Sequence, residues 1–337
     1  VHDQSTSGAT VFVEPLQVVE FNNQLRELEL AERDEIRRLL AELSASIGEH
    51  ALAIENTVVA IAQLDLALAK ARYADELRAS EPVIAPFGEQ SDQVVHPGST
   101  LKLLQARHPL LDPGEVVPVD LVLDEETYAL VITGPNTGGK TVALKTAGLL
   151  VLMVRAGLPS PCAPGSRLFP FAPVVADIGD EQSIEQSLST FSGHLLRLRN
   201  ILARANSETL VLMDELGTGT DPGEGSALAL AAVDSLRDVG ARILATTHLH
   251  VIKGYAQLES RVENAAVEFD TESLQPTYRL HYGIPGASHA FTIARRIGLP
   301  EKVLSAAENY LGQGEREGVA IIERLQTLQA TLDDELH

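Results

Sequence analysis

The pattern of this 337-residue chain predicts an α/β protein built on a mostly parallel sheet flanked by helices and entered through a long helical arm. Three observations carry that expectation. Apolar, β-rich runs (YALVITG, VVADIG, TLVLMDE and ARILATTH) alternate with helical stretches, as strands buried on both faces do. An apolar stripe at spacings of three and four runs through residues 16–80. Finally, 45% of the residues are apolar, enough for a sizeable core and too many for a disordered chain.

Taken in order, residues 8–14 (GATVFVE) alternate apolar and polar until Pro15 closes the run, predicting one strand whose partners lie outside the chain. From Leu16 the period changes. Val18, Phe21, Leu25 and Leu28, then Ile36, Leu39, Leu43 and Ile47, line one face of a helix roughly 45 Å long at about 1.5 Å per residue. Ile54, Val58, Ile61, Leu64, Leu68 and Ala71 make a second stripe. Two readings follow: a hairpin whose stripes pack together, or an arm carrying motion to a distant contact. Residues 80–100 hold three prolines and two glycines without helical period, marking a linker. Beyond it helices are expected over 139–156, 188–205, 224–239 and 249–258, with VENAAVEF and TYRLHYG as strands at one sheet edge. Ile321, Leu325, Leu328 and Leu332 predict a short coiled-coil-like stripe.

Charge and composition narrow the function. Lys and Arg number 26 against 47 Asp and Glu, a net charge of −21, which argues against nucleic-acid binding through a general basic surface. The single cysteine, Cys162, cannot form an internal disulfide, and no run of 18 uncharged apolar residues offers a membrane span. A cytoplasmic setting without membrane contact is expected. Because the chain starts at Val1 and stops at His337 within a helical pattern, it reads as an internal piece of something longer.

Residues 134–141, GPNTGGKT, satisfy G-x-x-x-x-G-K-[ST] between an apolar strand and a helix, the context of a phosphate-binding loop. Glycines let backbone N–H groups approach phosphate oxygens, Lys140 neutralises β/γ charge, and Thr141 can ligate Mg²⁺. Downstream, TLVLMDE ends in Asp214 and Glu215 at the mouth of a buried strand, where α/β sheets place ligands. Side chains alternate along a strand, so the two acids take different jobs: Asp214 in the Mg²⁺ shell, Glu215 polarising an attacking water. ARILATTH ends at His248, which reads as a γ-phosphate sensor, a satisfied strand-end histidine, or a metal pair with His250 that lacks a third ligand. In GTGTDPGEG, Asp221 steers water, touches a second subunit, or simply opens a helix. The serines of residues 183–194 read either as N-caps or as an anion site at a helix start.

GPNTGGKT, DIGDEQS (177–183), STFSGH (189–194), LMDELGTGTDP (212–222) and TTH (246–248), in this order, resemble the ATPase domain of the MutS family. The resemblance covers roughly residues 101–311, with ARHPLL and PGASHAFTIARRIGLP, and the opening VHDQSTSGATVFVEP resembles the second bacterial lineage of that family, which lacks the mismatch-reading domain. It implies an α/β P-loop NTPase of the ABC type, preceded by a lever arm. Residues 1–15 would end a clamp, 16–80 form the returning lever, 81–100 a linker, 101–311 the ATPase domain and 312–337 a helical segment leading onward. Gly134, Asn136, Gly138, Gly139, Lys140 and Thr141 match the family's phosphate loop. Thr137 stands where mismatch-repair members carry Met, which favours the second lineage. Asp214 and Glu215 match the acidic pair and His248 the switch histidine. His281 is placed near adenine by an ungapped count back from Gly286. By the same resemblance the chain is a Mg²⁺-dependent ATPase that works as a homodimer, Ser189 of each subunit approaching the other's γ-phosphate. ATP would drive a clamp on branched or structured DNA and suppress recombination, with any nuclease outside this stretch. The alternative is ATP-driven splitting of stalled ribosomes.

Overall fold

The computed structural model describes residues 3–4, 11–12, 16–84, 100–135, 138–179, 190–270, 275–286 and 290–310, and divides into two units, residues 1–69 and 70–337. The predicted coiled-coil stripe at 321–332 lies outside the described residues.

In the first unit β1 (Asp3–Gln4) pairs antiparallel with β2 (Val11–Phe12), so the predicted strand finds a partner within the chain, contrary to expectation. Next come α1 (Leu16–Glu49) and α2 (Ala51–Leu77), whose last turns belong to the second unit. The hairpin reading is corrected: within the first unit the stripes do not pack on each other, and Leu25 and Leu64 remain 57% and 63% exposed. Only His50 separates the helices, too short a connection to reverse the chain, which needs about two to five residues. By length and composition α2 is apolar enough to cross a membrane, although it carries Glu55 and Asp65.

The second unit is mixed α/β. In chain order it contains β3 (Val83–Ile84), β4 (Leu101–Ala106), β5 (Val119–Leu123), β6 (Ala129–Thr133), α3 (Lys140–Arg155), β7 (Arg167–Leu168), β8 (Val174–Asp177), α4 (Thr190–Arg204), β9 (Leu210–Met213) and α5 (Pro222–Asp238). After these come β10 (Arg242–Thr246), α6 (His250–Leu258), β11 (Val262–Asp270), β12 (Gln275–Tyr282), α7 (Ala290–Arg296) and α8 (Glu301–Tyr310). The main sheet runs β12-β11-β6-β10-β9-β8, and every neighbouring pair is parallel except β11–β12, the edge pair the sequence anticipated.

Burial on both faces explains the unbroken apolar runs. Along β6, Leu130 and Ile132 join a core with Leu144, Leu150 and Val151 of α3, while Ala129 and Val131 face Val233, Leu236 and Ile252 on the other side. A second sheet, β3-β7-β4-β5, closes the first of these cores with Leu101, Leu103, Leu121 and Leu123. It was not anticipated, since its strands are short and β7 joins it from a segment far along the chain from β3, β4 and β5. Because β6, β9 and β10 are parallel and adjacent, their C-terminal ends deliver Gly134, Asp214 and Thr247 to one edge.

At the opposite end of the sheet the fully buried Arg242 donates to the carbonyl oxygens of Thr127 and of Glu125 (3.1 Å), with its guanidinium 4.9 Å from the Tyr128 ring centre. Arg242→Ala strands both carbonyls and removes the packed stem. Urea unfolding should show a loss of roughly 2–4 kcal/mol, and a loss below about 0.5 kcal/mol would contradict this account.

Candidate functional site

β6 ends at Thr133, and α3 begins at Lys140, directly after Gly138 and Gly139. Gly134 (φ 125°) and Gly139 (φ 83°) adopt conformations that L side chains rarely take. A Cβ on Gly138 would stand 2.8 Å from Val267 Cγ1, so glycine lets the loop lie close against β11. Gly139 caps α3, whose free N–H groups and positive end open into the loop. Lys140, 3% exposed, curls its ammonium back to the carbonyl oxygens of Gly134 (2.7 Å) and Pro135 (2.9 Å). Burial pushes its pKa down to about 8, against the opposing pull of Asp214 and Glu215. Asn136 and Thr137 lie outside the described residues.

Asp214 follows β9 directly. Thr141 Oγ1 donates to its Oδ2 at 2.7 Å and Thr246 Oγ1 to its Oδ1 at 2.5 Å, so hydroxyls from α3 and β10 grip both carboxylate oxygens. The Thr246 oxygen also accepts the Glu215 N–H at 2.8 Å. Glu215 sits at φ 51°, a left-handed conformation costing a non-glycine residue about 1 kcal/mol or more. Thr218 N and Oγ1 return to its carbonyl at 3.1 and 2.8 Å, so the chain turns away at once. Both acids lie just past β9, so the left-handed turn at Glu215, and not strand alternation, separates their surroundings.

His248 stands two residues beyond β10. Its Nε2 is buried and has no hydrogen-bond partner, one of three such side-chain atoms among the described residues. Burial, then the ammonium groups of Lys140 and Lys253, hold its pKa below the usual histidine range, with Asp214 opposing them. No group of three or more His, Cys, Asp or Glu among the described residues is placed to hold a metal ion, so His248 and His250 gain no third ligand of these types. Lys253, buried on α6, donates to Gly286 O at 2.9 Å. The Gly286 N–H in turn reaches Thr133 Oγ1 at 2.6 Å, bracing the entrance to the glycine loop. Lys253 belongs to no sequence motif, and Thr246 lies within TTH with no role assigned to it. A lysine on the buried face of α6, beside Ile252 and Ala256, was the available signal for the first.

A cavity of about 310 Å³ opens beside the loop, lined in part by Gly138, Gly139, Val142, Val267, Tyr278 and Leu280. Tyr278 sits at φ 61° on an irregular stretch of β12, and a Cβ on Gly139 would meet its ring at 2.5 Å. His281 does not line this cavity; its Nε2 is 3.4 Å from Glu268 Oε1. Asp221 caps α5, accepting from the backbone N–H groups of Gly223 (2.9 Å) and Glu224 (3.2 Å), so helix entry accounts for it. Ser189 lies outside the described residues.

Residues 130–314 match the family model described as MutS domain V. The chain is 50% identical over 335 residues to an endonuclease MutS2 of Geobacillus sp. (strain WCH70) and 51% identical over 335 residues to one of Pelotomaculum thermopropionicum, 99% of its length in each case. To an endonuclease MutS2 of Caldanaerobacter subterraneus it is 52% identical over 311 residues, 92% of its length. It covers 41%, 41% and 38% of those proteins, about two fifths of the length of the curated relatives it matches.

The depressed Lys140 pKa has a thermodynamic signature. The unfolded chain holds this proton to about pH 10.5 while the folded chain releases it near pH 8, so between those values the unfolded state binds more protons and stability rises with pH. The unfolding free energy of the wild type relative to Lys140→Met should therefore climb from about pH 8 to 10.5, by at most about 3 kcal/mol. A difference that is flat or falls across that window, in denaturant titrations at stepped pH, would refute it.

Proposed function

Because the chain belongs to the MutS family, we propose that its second unit is a P-loop NTPase of the ABC type, hydrolysing ATP with Mg²⁺. One observation carries this reading best. The buried, unpartnered Nε2 of His248 lies within electrostatic reach of Lys140 and Asp214, at the strand ends where the glycine loop opens. An imidazole held neutral there can donate one hydrogen bond to a phosphate oxygen without needing a counter-ion. The triphosphate lies along the loop N–H groups, and Lys140 leaves its two carbonyls to meet β/γ charge. Oxygen ligands suit Mg²⁺, and the Thr141 hydroxyl with the Asp214 carboxylate, 2.7 Å apart, fits it without a cluster of acids. When bound, the ion supplies charge neutralisation at the phosphates. Glu215 orients and polarises the attacking water. The cavity beside the loop takes the base, with Tyr278 as its aromatic wall, in place of the His281 contact that the sequence count proposed.

The finer assignments follow from the family resemblance. Residues 16–80 act as a lever leading from the end of a clamp (1–15) through a linker (81–100) to the ATPase domain (101–311), with 312–337 leading onward. Two such domains face each other in a homodimer, with Ser189 reaching the partner's γ-phosphate. The cycle moves a clamp on branched or structured DNA and suppresses recombination in the cytoplasm. With a net charge of −21, this stretch is a poor DNA surface of its own, and the contact is assigned to a clamp outside it. The endonuclease in the relatives' names is likewise assigned outside it. No observation favours the ribosome over DNA. Glu55 and Asp65 within α2 count against a bilayer.

Glu215→Gln should lower ATP turnover by about 10²- to 10⁴-fold while Mg-ATP binding persists; unchanged turnover would remove the base role. Turnover per chain should rise with protein concentration and collapse in Ser189→Ala, whereas concentration-independent turnover in both proteins would exclude the composite site. Tyr278→Leu should weaken ATP binding roughly 5- to 150-fold, with Tyr278→Phe near wild type and inorganic tripolyphosphate unaffected. Equal loss of ATP and tripolyphosphate would mean that the ring only props the loop.

A further inference from the structure

The hydrolytic reading leaves one buried charge cluster unused. Asp177, the last residue of β8, is nearly buried, and its carboxylate takes a hydrogen bond from Arg197 Nε while its Oδ2 lies 2.8 Å from His194 Nδ1. His194 and Arg197 lie three residues apart in the first two turns of α4, so one carboxylate holds both on a single face of that helix. A carboxylate this far out of water is costly unless both oxygens are satisfied, and here they are. The same residue also reaches the acidic strand: its carbonyl accepts the Asp214 N–H at 2.8 Å, and β8 pairs with β9 in a register that sets Asp177 opposite Met213. A second contact runs between the same two regions. A Cβ on Gly219, just past Glu215, would stand 3.5 Å from Phe191 Cβ on α4. Asp177, Phe191, His194, Asp214 and Glu215 line one small cleft.

We infer that Asp177 is a positioning residue that couples the first two turns of α4 to the acidic pair at the end of β9. Its side chain fixes the helix and its main chain fixes Asp214. A shift of α4 therefore reaches the carboxylates through one residue, without passing through the glycine loop. Among the described residues no hydrogen bond joins Asp214 or Glu215 to α4 directly, so Asp177 is the short polar path between them.

The test has two arms. The first is amide hydrogen exchange on the full chain without nucleotide, comparing wild type with Asp177→Asn, which keeps the shape and removes the charge. Exchange should accelerate by about tenfold over residues 191–198 and also over 214–217. Acceleration confined to 191–198 means that Asp177 only anchors its own helix, and no change anywhere means that the clamp holds nothing; either overturns the inference. The second arm rests on the ATPase reading. Asp177→Asn should lower kcat about tenfold or more with KM for Mg-ATP unchanged, because the loop is untouched. Arg197→Gln should do the same, and the double variant should be no slower than the slower single. An unchanged kcat, a matching rise in KM, or losses that multiply would overturn it. If Asp177→Asn does not fold, Arg197→Gln on the more exposed partner carries both arms. A wild type that neither binds nor hydrolyses ATP sinks the ATPase reading alone, and the exchange arm still decides this one.

Discussion

The grip of two threonine hydroxyls on the Asp214 carboxylate is the interaction from which the rest of the site takes its geometry. Thr141 lies 73 residues and Thr246 32 residues from Asp214, yet they meet its two oxygens at 2.7 and 2.5 Å. That convergence is possible only because β6, β9 and β10 are parallel neighbours, so that the helix after one strand and the ends of the other two face the same edge. Thr246 also holds the Glu215 N–H, which lets the neighbouring acid leave the strand at φ 51°. Loss of either hydroxyl would free a carboxylate oxygen and loosen the turn that follows.

Around this knot the structure concentrates charge in a protein that is acidic overall. Lys140 and Lys253 are both buried, both have lowered pKa values, and both donate to backbone carbonyls. With the helix end of α3 they make a local positive field inside a chain of net charge −21. Burial, and then both of these cations, hold the His248 pKa below the usual histidine range, with Asp214 opposing them. Such a field suits an anion at the end of the glycine loop.

The two units use apolar residues differently. In the second, alternation and continuous runs end in buried cores on both faces of the main sheet. In the first, apolar side chains from Val18 to Leu68 remain exposed along α1 and α2, held in helical form by local bonds and by i,i+3 and i,i+4 pairs such as Arg38 with Glu35 and Glu42. Periodicity identifies a face meant for burial; it does not say whether that face is covered.

That distinction runs through the whole molecule. Period, composition and the spacing of GPNTGGKT, Asp214–Glu215 and His248 are local properties of the chain. Helices over 140–155, 190–204, 222–238 and 250–258, the parallel sheet and its edge pair were accordingly legible without coordinates. Which groups meet across tens of residues was not. The second sheet, the Thr246 bridge, the Lys253–Gly286 brace and the Asp177 clamp all join segments with no shared local pattern. The same limit misled the hairpin reading, where a one-residue connection outweighed two matching stripes. It also governs Tyr278 and His281: an irregular pairing of two edge strands decides which of them lines the cavity, and residue spacing in one strand carries no information about its neighbour.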